Sequence, residues 1–579
     1  MLTKLTIRNF KRFDEVEIEL GDTVVFIGPN NSGKTTALQA LALWDIGLRR
    51  WNEKRAGKTA PEKRPGVTIN RRDLVAVPVP DANFLWRDLH VRDVQLVGER
   101  QKTKNIRIDI IVEGVTDDRA WRCGIEFDYA NEESFYCRPL RLSDTASPER
   151  MPIPNEASQV RIAFLPPMSG LAANETRLDS GAINVRLGEG RTAEVLRNLC
   201  HQVANDETRA PSWNEIVKRM ESLFGVRLDR PVYVPERGEI TMTYRTESNT
   251  RLDLSASGRG LQQTLLLLAH MAVNPESVLL LDEPDAHLEI LRQRQIYEVL
   301  TRNARENRCQ VIAASHSEVL LNEAADRDMV IAFVGRPHRI DDRGQQVVKS
   351  LKEIGFEQYY QAEQAGWVLY LEGSTDLAIL RALAERLGHP ATAALERPFV
   401  RYVGNQPSRA RDHFRGLREA KQDLVGFLLC DRIDIPLCPT PELDEYMWQR
   451  REIENYLCQP ETLLAYAEAH GRDELGPLFA GPEAQRRKQA MQESIADHVI
   501  PAALKNRDDP WWANVKASDE FLDRVFEAYL QRLDLPRGLI KKSDYHVLAS
   551  FVPPSAIAPE VTLVLDKIAE VRRRARPRQ

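Results

Sequence analysis

Three features are missing from the sequence: paired cysteines, an apolar run of membrane length, and a strong net charge. The seven cysteines are scattered, with no CxxC pair, which indicates reduced thiols and argues against a disulfide framework or a cysteine zinc site. No run reaches the roughly 18 apolar residues that a membrane helix needs, and the first residues lack the apolar core of a signal peptide. We therefore expect a cytoplasmic location and no membrane partner.

The charge balance excludes a second class of protein. Lys and Arg number 80 and Asp and Glu number 85, giving a formal net charge of −5. This sum argues against a wholly basic DNA-coating protein but not against a local basic groove. With 28% charged and 42% hydrophobic residues, the chain has ordinary globular composition, and its 579 residues allow roughly three or four domains.

What is present is an alternation of apolar strands and helices, arranged in two series without an internal repeat. Such alternation predicts α/β domains with parallel sheets. Helical spacing over 192–223, broken around Pro211, predicts an inserted helical arm. We therefore predict two main domains rather than three or four. The first covers residues 1–345, with a helical insertion at about 190–228, and the second covers residues 360–579.

A phosphate-binding loop opens the first series. The run from Gly28 to Thr35 fits G-x-x-x-x-G-K-[ST] and lies between an apolar strand and an apolar helix, where this motif belongs. Its backbone N–H groups and the helix N-terminus would hold phosphates, Lys34 would reach the β- and γ-phosphates, and Thr35 would hold Mg²⁺. The predicted nucleotide-contacting residues are Gly28, Asn30, Asn31, Ser32, Gly33, Lys34, Thr35 and Thr36.

Three further segments fit the same site. An apolar strand ends in Asp282 and Glu283, which suit a Mg²⁺ ligand and the base that orients an attacking water. Ser257-Gly258-Arg259-Gly260 precedes an apolar helix, as an anion-binding nest or a plain N-cap would. His316 follows the next strand.

The order of these motifs resembles the ABC-type ATPase head, which SMC-like DNA-repair proteins share. The resemblance implies that Ser257, Gly258 and Gly260 form the signature motif, although they depart from the usual LSGGQ. It also implies that Asp285-Ala286-His287 is the D-loop region and that His316 contacts the γ-phosphate. Because the signature motif of such heads acts on ATP held by the opposite head, the resemblance implies at least a homodimer.

The second series carries acidic residues at the ends of two strands. Glu372 and Asp376 follow one strand, and Asp431 and Asp434 follow another. Acids at the carboxyl ends of neighbouring parallel strands would meet at one edge of the sheet, where their oxygens favour Mg²⁺ or Mn²⁺. Two such ions about 4 Å apart can assist phosphodiester hydrolysis. Alternatively, Glu372 and Asp376 only complement a helix dipole.

Two segments downstream are candidates for the same site. Glu452 and Glu454 are two residues apart and cannot share one helical face, so at most one of them is expected to bind metal. Lys541 or Lys542 could stabilise charge that develops on a phosphate. Solvated surface charge is the competing interpretation of both segments.

The acidic pattern resembles the TOPRIM fold of topoisomerases, primases and some nucleases, with one extra residue between Asp431 and Asp434. An ABC-type ATPase joined to a TOPRIM domain resembles the OLD (overcoming lysogenization defect) nuclease family, which includes the nucleases of Gabija and of some retrons. The resemblance implies roles for seven residues. It makes Glu372 a metal ligand or general base, completes one metal site with Asp376 and Asp431 and a second with Asp434 and Glu454, and makes Lys542 or Lys541 the catalytic lysine.

The expected function is therefore an ATP-regulated, Mg²⁺- or Mn²⁺-dependent endonuclease that cleaves double-stranded DNA as a homodimer or higher oligomer in anti-phage defence. The resemblance also allows a helicase, a reverse transcriptase with its nucleic acid, or a toxin as partner. The alternative is an ATPase sensor or scaffold whose inactive TOPRIM domain holds and releases a toxin. An SMC-like repair ATPase is a weaker third option, because the helical stretch over 192–223 is too short for a coiled-coil arm.

Overall fold

The computed structural model divides the chain into two compact units, Met1–Lys352 and Glu353–Gln579. The structure describes residues 1–55, 66–74, 76–97, 100–143, 149–172, 174–325, 327–340, 354–434, 436–438, 440–473, 480–498, 515–536 and 539–577. Within this part of the chain, no helix is long and apolar enough to cross a membrane.

The first unit is a mixed α/β structure. Its strands are β1 (Leu2–Phe10), β2 (Phe13–Glu19), β3 (Thr23–Ile27), β4 (Val67–Asn70), β5 (Arg92–Val97), β6 (Arg100–Asn105), β7 (Arg107–Thr116), β8 (Arg119–Asn131), β9 (Ser134–Pro139), β10 (Ile162–Leu165), β11 (Arg227–Leu228), β12 (Val232–Val234), β13 (Glu239–Thr241), β14 (Thr243–Arg245), β15 (Arg251–Asp253), β16 (Val278–Asp282), β17 (Gln310–Ser315), β18 (Met329–Ala332) and β19 (His338–Arg339). Its helices are α1 (Lys34–Arg55), α2 (Asn155–Gln159), α3 (Ser180–Gly188), α4 (Leu196–Asn205), α5 (Ala210–Phe224), α6 (Arg259–Val273), α7 (Ile290–Glu306) and α8 (Glu318–Ala324).

A parallel sheet with both faces covered forms the centre of this unit. Its strand order is β10-β16-β17-β3-β18-β19, and only the edge strand β19 is antiparallel to its neighbour. Side chains alternate across it: Leu280 and Ile312 join the core on the side of α1, whereas Leu279 and Val311 join the core formed with α4 to α7. Burial on both faces explains why these strands are continuous apolar runs.

Helix α1 is held between the parallel sheet and an antiparallel sheet of order β2-β1-β7-β8-β9-β4. Trp44 is fully buried, and its Nε1 donates a hydrogen bond to the carbonyl of Cys123 at 3.0 Å. Because α1 begins at Lys34, this packing fixes the helix whose first residues belong to the phosphate-binding loop.

The helical segment predicted over 192–223 consists mainly of α4 and α5. The chain leaves the helical path at Asp206, and Pro211 is the second residue of α5, where its missing N–H breaks no helical hydrogen bond. Leu199 of α4 and Met220 of α5 share one core with Leu265 of α6. The break predicted near Pro211 is therefore the junction between two packed helices.

The second unit is built on a smaller parallel sheet. Its strands are β20 (Trp367–Leu371), β21 (Val400–Tyr402), β22 (Val425–Cys430) and β23 (Leu443–Met447), and its helices are α9 (Phe356–Ala365), α10 (Ser374–Leu387), α11 (Ala391–Glu396), α12 (Pro407–Ala420), α13 (Pro460–Asp473), α14 (Ala480–His498), α15 (Asp523–Arg532) and α16 (Pro559–Arg574). Short 3₁₀ segments cover Ile453–Tyr456 and Lys542–Phe551, and a π-helical segment covers Ala517–Leu522.

The four strands are parallel and their order is β21-β20-β22-β23. The connection that follows β20 leads to one side of the sheet and the connection that follows β22 leads to the other. The carboxyl edge between β20 and β22 is therefore the topological switch point, where open α/β sheets bind ligands. Helix α10 starts directly after β20 and ends at Gly388, whose φ of 60° is the left-handed conformation that glycine adopts without strain. Gly388 is thus the C-terminal cap of α10.

Candidate functional site

The phosphate-binding loop depends on a glycine directly before α1. Gly33 has φ of 107°, and a Cβ built on it would lie 2.7 Å from Cζ of Phe13. Both the backbone angle and the close ring make a side chain at this position unfavourable. Of the neighbouring predicted residues, Asn30 and Asn31 are exposed, and Thr36 is half-buried in the first turn of α1.

Two polar groups of the loop have an arrangement that fits a phosphate. The Lys34 ammonium is buried and donates to the carbonyls of Gly28 and Pro29, each at 2.7 Å, and burial lowers its pKa. The buried Ser32 Oγ has no hydrogen-bond partner among the described residues. An anion in the loop would supply a charge partner for Lys34 and an acceptor for Ser32.

Thr35 and Asp282 lie in direct contact. The Thr35 hydroxyl lies 2.9 Å from Oδ2 and 3.1 Å from Oδ1 of Asp282. Asp282 ends the central strand β16, and its burial raises the pKa of its carboxyl to about 6. A hydroxyl beside a buried carboxylate at the first turn of the helix is a donor set that suits Mg²⁺ bound with nucleotide phosphates.

Glu283 and His316 also face one another. Oε1 of Glu283 lies 3.5 Å from Nδ1 of His316. The backbone of Glu283 is left-handed, with φ of 50°, while its N–H donates to the carbonyl of Ala314 at 2.8 Å. A non-glycine residue held in this conformation at the end of a strand is typical of functional sites.

Asp285 has a partner that belongs to none of the motifs. Ser315 is fully buried at the end of β17, and its Oγ donates to Oδ2 of Asp285 at 3.0 Å. Burial raises the pKa of Asp285, whose Oδ1 has no partner within the described part of the chain. In the sequence, only the position of Ser315 directly before His316 indicates that Ser315 belongs to the site.

The predicted signature residues lie at the start of α6. Gly258 is its N-cap, and Ser257 Oγ donates to the carbonyl of Leu254 at 2.7 Å rather than capping the helix. A Cβ on Gly260 would lie 3.3 Å from Cδ2 of Leu288. The signature segment therefore packs closely against the residue that follows Asp285-Ala286-His287.

Two strand ends of the second unit bring their acids together. Glu372 follows β20 and Asp431 follows the neighbouring parallel strand β22. A side-chain hydrogen bond joins these two carboxyl groups. Burial, this bond and the charges of Glu372, Asp376 and Glu454 raise the pKa of Asp431 far above the ordinary carboxyl value. We refer to Glu372, Asp376, Asp431 and Glu454 as the carboxylate cluster.

Asp376 lies at the start of α10, beside Glu372. Its Oδ2 accepts the N–H groups of Glu372 at 3.0 Å and Gly373 at 3.3 Å, so it caps the start of α10. Burial raises its pKa to about 6, and the charge of Glu372 contributes to the increase. Asp376 is thus a helix cap and a member of the cluster at once.

The two glutamates downstream have different surroundings. Burial and the charge of Glu452 raise the pKa of Glu454 to about 7, and the Lys542 ammonium lies 3.9 Å from Glu454 Oε1. Glu452 instead accepts the backbone N–H of Ser518 at 2.5 Å. Lys541 is exposed, and its backbone N–H donates to Asp544. Of each pair, the structure brings Glu454 and Lys542 to the cluster.

Asp434 does not join them. It is exposed in the loop after β22, and no hydrogen bond or ion pair connects it to the cluster in the described part of the chain. Nor do three or more His, Cys, Asp or Glu side chains of the described residues form a ready metal site. Binding of a cation by the cluster would therefore require its side chains to turn towards the ion.

Three residues that interact with the cluster or with its neighbours belong to no recognisable motif. Asn405, with φ of 55°, accepts the N–H of Asp431 on its Oδ1 at 3.1 Å. Ser518 Oγ accepts a hydrogen bond from Lys542 at 2.9 Å. Lys516 interacts electrostatically with Glu452 and Glu372. Only the turn sequence Gly404-Asn405 offered a signal, because asparagine tolerates positive φ.

No curated protein matches the chain. Among solved structures, it is similar to the SMC head domain from Thermotoga maritima, with 16% identity, a TM-score of 0.31, and coverage of 58% of this chain and 98% of that chain. It is also similar to the Smc head domain with an extended coiled coil bound to the C-terminal domain of ScpA, from Pyrococcus furiosus, with 14% identity, a TM-score of 0.33, and coverage of 61% and 99%.

The family described as "AAA domain, putative AbiEii toxin, Type IV TA system" matches residues 24–322, just over half of the chain. The match includes the phosphate-binding loop, the segment before α6, the end of β16 and His316. The chain therefore belongs to this AAA-domain family, and its first unit contains an ATPase-type domain.

Proposed function

We propose that the protein binds and hydrolyses ATP and is a divalent-metal-dependent DNA endonuclease of the TOPRIM type. The observation that carries the nuclease assignment is the convergence of the carboxylate cluster at the switch point of the second unit's sheet, with Lys542 3.9 Å from Glu454. Clustered carboxylates with raised pKa values favour a cation that offsets their repulsion.

The chain's own groups suit hydrolysis of a phosphodiester. Glu372, Asp376, Asp431 and Glu454 would hold Mg²⁺ or Mn²⁺, which supplies Lewis-acid chemistry at the phosphate when bound. The Lys542 ammonium would offset the negative charge that develops on the phosphate oxygens. Asp376 fixes the start of α10, and Asn405 fixes the backbone of Asp431, so both orient the acidic side chains.

The nucleotide site supports hydrolysis rather than binding alone. Lys34 and Ser32 would contact the phosphates, while Thr35 and Asp282 would hold Mg²⁺. Glu283 would orient the attacking water as general base, and its contact with His316 sets the direction of its carboxylate.

We further propose that ATP promotes association of two copies through the face that bears the signature segment. Gly260 packs on Leu288, and Ile290 and Leu291, two and three residues further along the chain, are 66% and 70% exposed. Adjacent exposed side chains of this size beside a nucleotide site favour an interface. In this arrangement ATP would regulate DNA cleavage through the association of two copies.

The decisive experiment is cleavage of supercoiled plasmid by the purified full chain with Mn²⁺ or Mg²⁺, with and without ATP. We expect nicked or linear products, loss of cleavage in Glu372→Gln and Lys542→Ala with ATP binding intact, and loss of ATP binding in Lys34→Ala. Intact plasmid under every combination of metal and nucleotide would overturn the nuclease assignment.

A role in anti-phage defence is supported by the family description, which names a toxin and a type IV toxin–antitoxin system. We expect expression in a bacterial host to reduce phage plaque formation, and Glu372→Gln to abolish the reduction. Equal plaque numbers with and without the wild-type protein would contradict this role.

A second candidate is a sensor or scaffold whose second unit holds and releases a toxin. It is favoured by the absence of a ready metal site among the described residues and by the exposed position of Asp434. Co-purification of a small protein that ATP releases, together with no plasmid cleavage, would establish this function instead.

A further inference from the structure

The π-helical segment Ala517–Leu522 links a lysine to the acidic residues of the second unit. Ser518 is fully buried; its N–H donates to Glu452 at 2.5 Å, and its Oγ accepts a hydrogen bond from Lys542 at 2.9 Å. π-Helical turns are rare and concentrate at functional sites. The segment therefore holds the Lys542 ammonium in a fixed direction beside Glu454.

A second lysine lies next to this segment. Lys516 Nζ is 2.5 Å from Oδ2 of Asp519, and the other oxygen of Asp519 is 4.0 Å from Lys542 Nζ. Lys516 also interacts electrostatically with Glu452 and Glu372. Two ammonium groups thus share one carboxylate at the margin of the carboxylate cluster.

The Lys516–Asp519 pair is open to solvent. The two side chains are 45% and 50% exposed, and an exposed ion pair contributes little to stability. A phosphate can therefore replace Asp519 as the partner of Lys516 at small cost, whereas Lys542 is also held by Ser518. The two lysines consequently differ in freedom: one is fixed at the cluster, and the other is available to a polyanion.

We propose that Lys516 binds a backbone phosphate of the nucleic acid substrate, next to the phosphate that faces Lys542. The inference rests on the proposed function for the identity of the polyanion. It assigns Lys516 to substrate binding and leaves the chemical step to the carboxylate cluster and Lys542. Because a lysine–phosphate contact is electrostatic and independent of sequence, its loss weakens binding to all DNA sequences alike.

The test measures binding of a fluorescent DNA duplex to full-length Glu372→Gln protein with Mg²⁺, at about 50 to 200 mM salt. We expect Lys516→Ala to weaken binding severalfold and to reduce the slope of log affinity against log salt by about 1. Lys516→Arg should restore both values. Lys488→Ala is the matched control, because Lys488 of α14 is 40% exposed and pairs with Glu468 of α13 at 3.0 Å. This variant should change neither the affinity nor the salt slope.

Cleavage assays with Lys516→Ala in the otherwise wild-type chain separate this inference from the proposed function. We expect KM to rise and kcat to stay within about twofold. If no variant cleaves DNA but the salt slope still falls in Lys516→Ala, the nuclease assignment fails and the phosphate contact stands. If Lys516→Ala matches Lys488→Ala in affinity and slope, or lowers kcat alone, the inference is wrong.

Discussion

The hydroxyl of Thr35 donates a hydrogen bond to the carboxylate of Asp282 at 2.9 Å, although 247 positions separate the two residues in the chain. Thr35 lies in the first turn of α1 and Asp282 ends β16, so the contact joins the phosphate-binding loop to the centre of the parallel sheet. It leaves the threonine oxygen and the carboxylate directed at one point, where Mg²⁺ bound to nucleotide would be held.

This contact predicts that Asp282→Asn uncouples binding from hydrolysis. We expect ATP hydrolysis to fall at least about 100-fold, because the amide is a weaker Mg²⁺ ligand and about 3 kcal/mol of transition-state stabilisation is lost. Nucleotide binding measured without Mg²⁺ should persist through Lys34. Asp45→Asn is the control: this buried aspartate of α1, whose pKa burial raises to about 6, pairs with Arg49 and should leave hydrolysis unchanged.

Replacement of Gly33 should damage the loop through its backbone. In Gly33→Ala the φ of 107° and the Cβ contact of 2.7 Å with Phe13 cost about 1–3 kcal/mol, so the loop or the ring must shift. We expect a lower free energy of unfolding and a loss of ATP affinity in titration calorimetry. Gly181→Ala in α3, where the nearest atom is 3.5 Å away, should lower neither quantity, because alanine is the better helix former. Unaltered ATP affinity in Gly33→Ala would show that the loop does not need this conformation.

Much of the fold could be predicted from sequence because burial on both faces leaves a strong signal. The continuous apolar runs before Asp282, Glu372 and Asp431 are strands. Contacts made by loops gave no such signal. Ser518 reaches Lys542 only because a π-helical turn brings it there, and neither periodicity nor a motif predicts that turn.

The same limit applies to the acidic residues. A strand determines the position only of the residue that directly follows it. The position of Asp431 was therefore predictable, whereas the path of the loop that contains Asp434 was not. Lys541 and Lys542 are neighbours in sequence, and only the direction of the 3₁₀ segment that begins at Lys542 separates them. Side-chain direction after the end of an element depends on tertiary packing rather than on residue type.

Asp431 and Asp434 should respond differently to the same isosteric change. Asp431→Asn removes a carboxyl group whose pKa is raised far above its ordinary value by burial and by Glu372, Asp376 and Glu454, so the folded chain at pH 8 must bind a proton that the unfolded chain does not. We therefore expect the metal-free variant at pH 8 to gain about 1 kcal/mol or more in free energy of unfolding while losing DNA cleavage. Asp434→Asn alters an exposed side chain and should change stability by less than about 0.5 kcal/mol. Equal stability of the two variants would contradict the placement of Asp431 in the cluster.

The exposed pair at the start of α7 predicts a variant that separates association from nucleotide binding. Leu291→Glu should weaken ATP-dependent self-association at least about tenfold, because burying a leucine at an interface contributes about 1.5–3 kcal/mol. ATP affinity should remain, since Leu291 lies outside the phosphate-binding loop. Sedimentation of the two proteins with and without ATP measures the effect; Leu563→Glu, at a 45% exposed leucine of α16, is the control. Association equal to that of the wild type would rule out this face.

His413 predicts a pH dependence of the second unit's stability. Its Nδ1 lies 2.8 Å from the hydroxyl of the buried Tyr370, and its Nε2 lies 2.5 Å from Oε1 of Gln358. Burial, and secondarily the charge of Arg401, lowers its pKa to about 4 from an ordinary 6.5. Between these two values the unfolded chain binds a proton that the folded chain does not, so the free energy of unfolding falls as pH decreases from 6.5 to 4.

The expected loss from this residue is up to about 3 kcal/mol, since one pH unit of displacement corresponds to about 1.4 kcal/mol. Urea unfolding from pH 7 to pH 4 measures it, and His413→Gln should flatten the pH dependence because the titrating group is gone. His498→Gln, at an exposed histidine that ends α14, should leave the wild-type dependence in place. Parallel curves for the wild type and His413→Gln would mean that His413 is as accessible to protons in the folded chain as in the unfolded one.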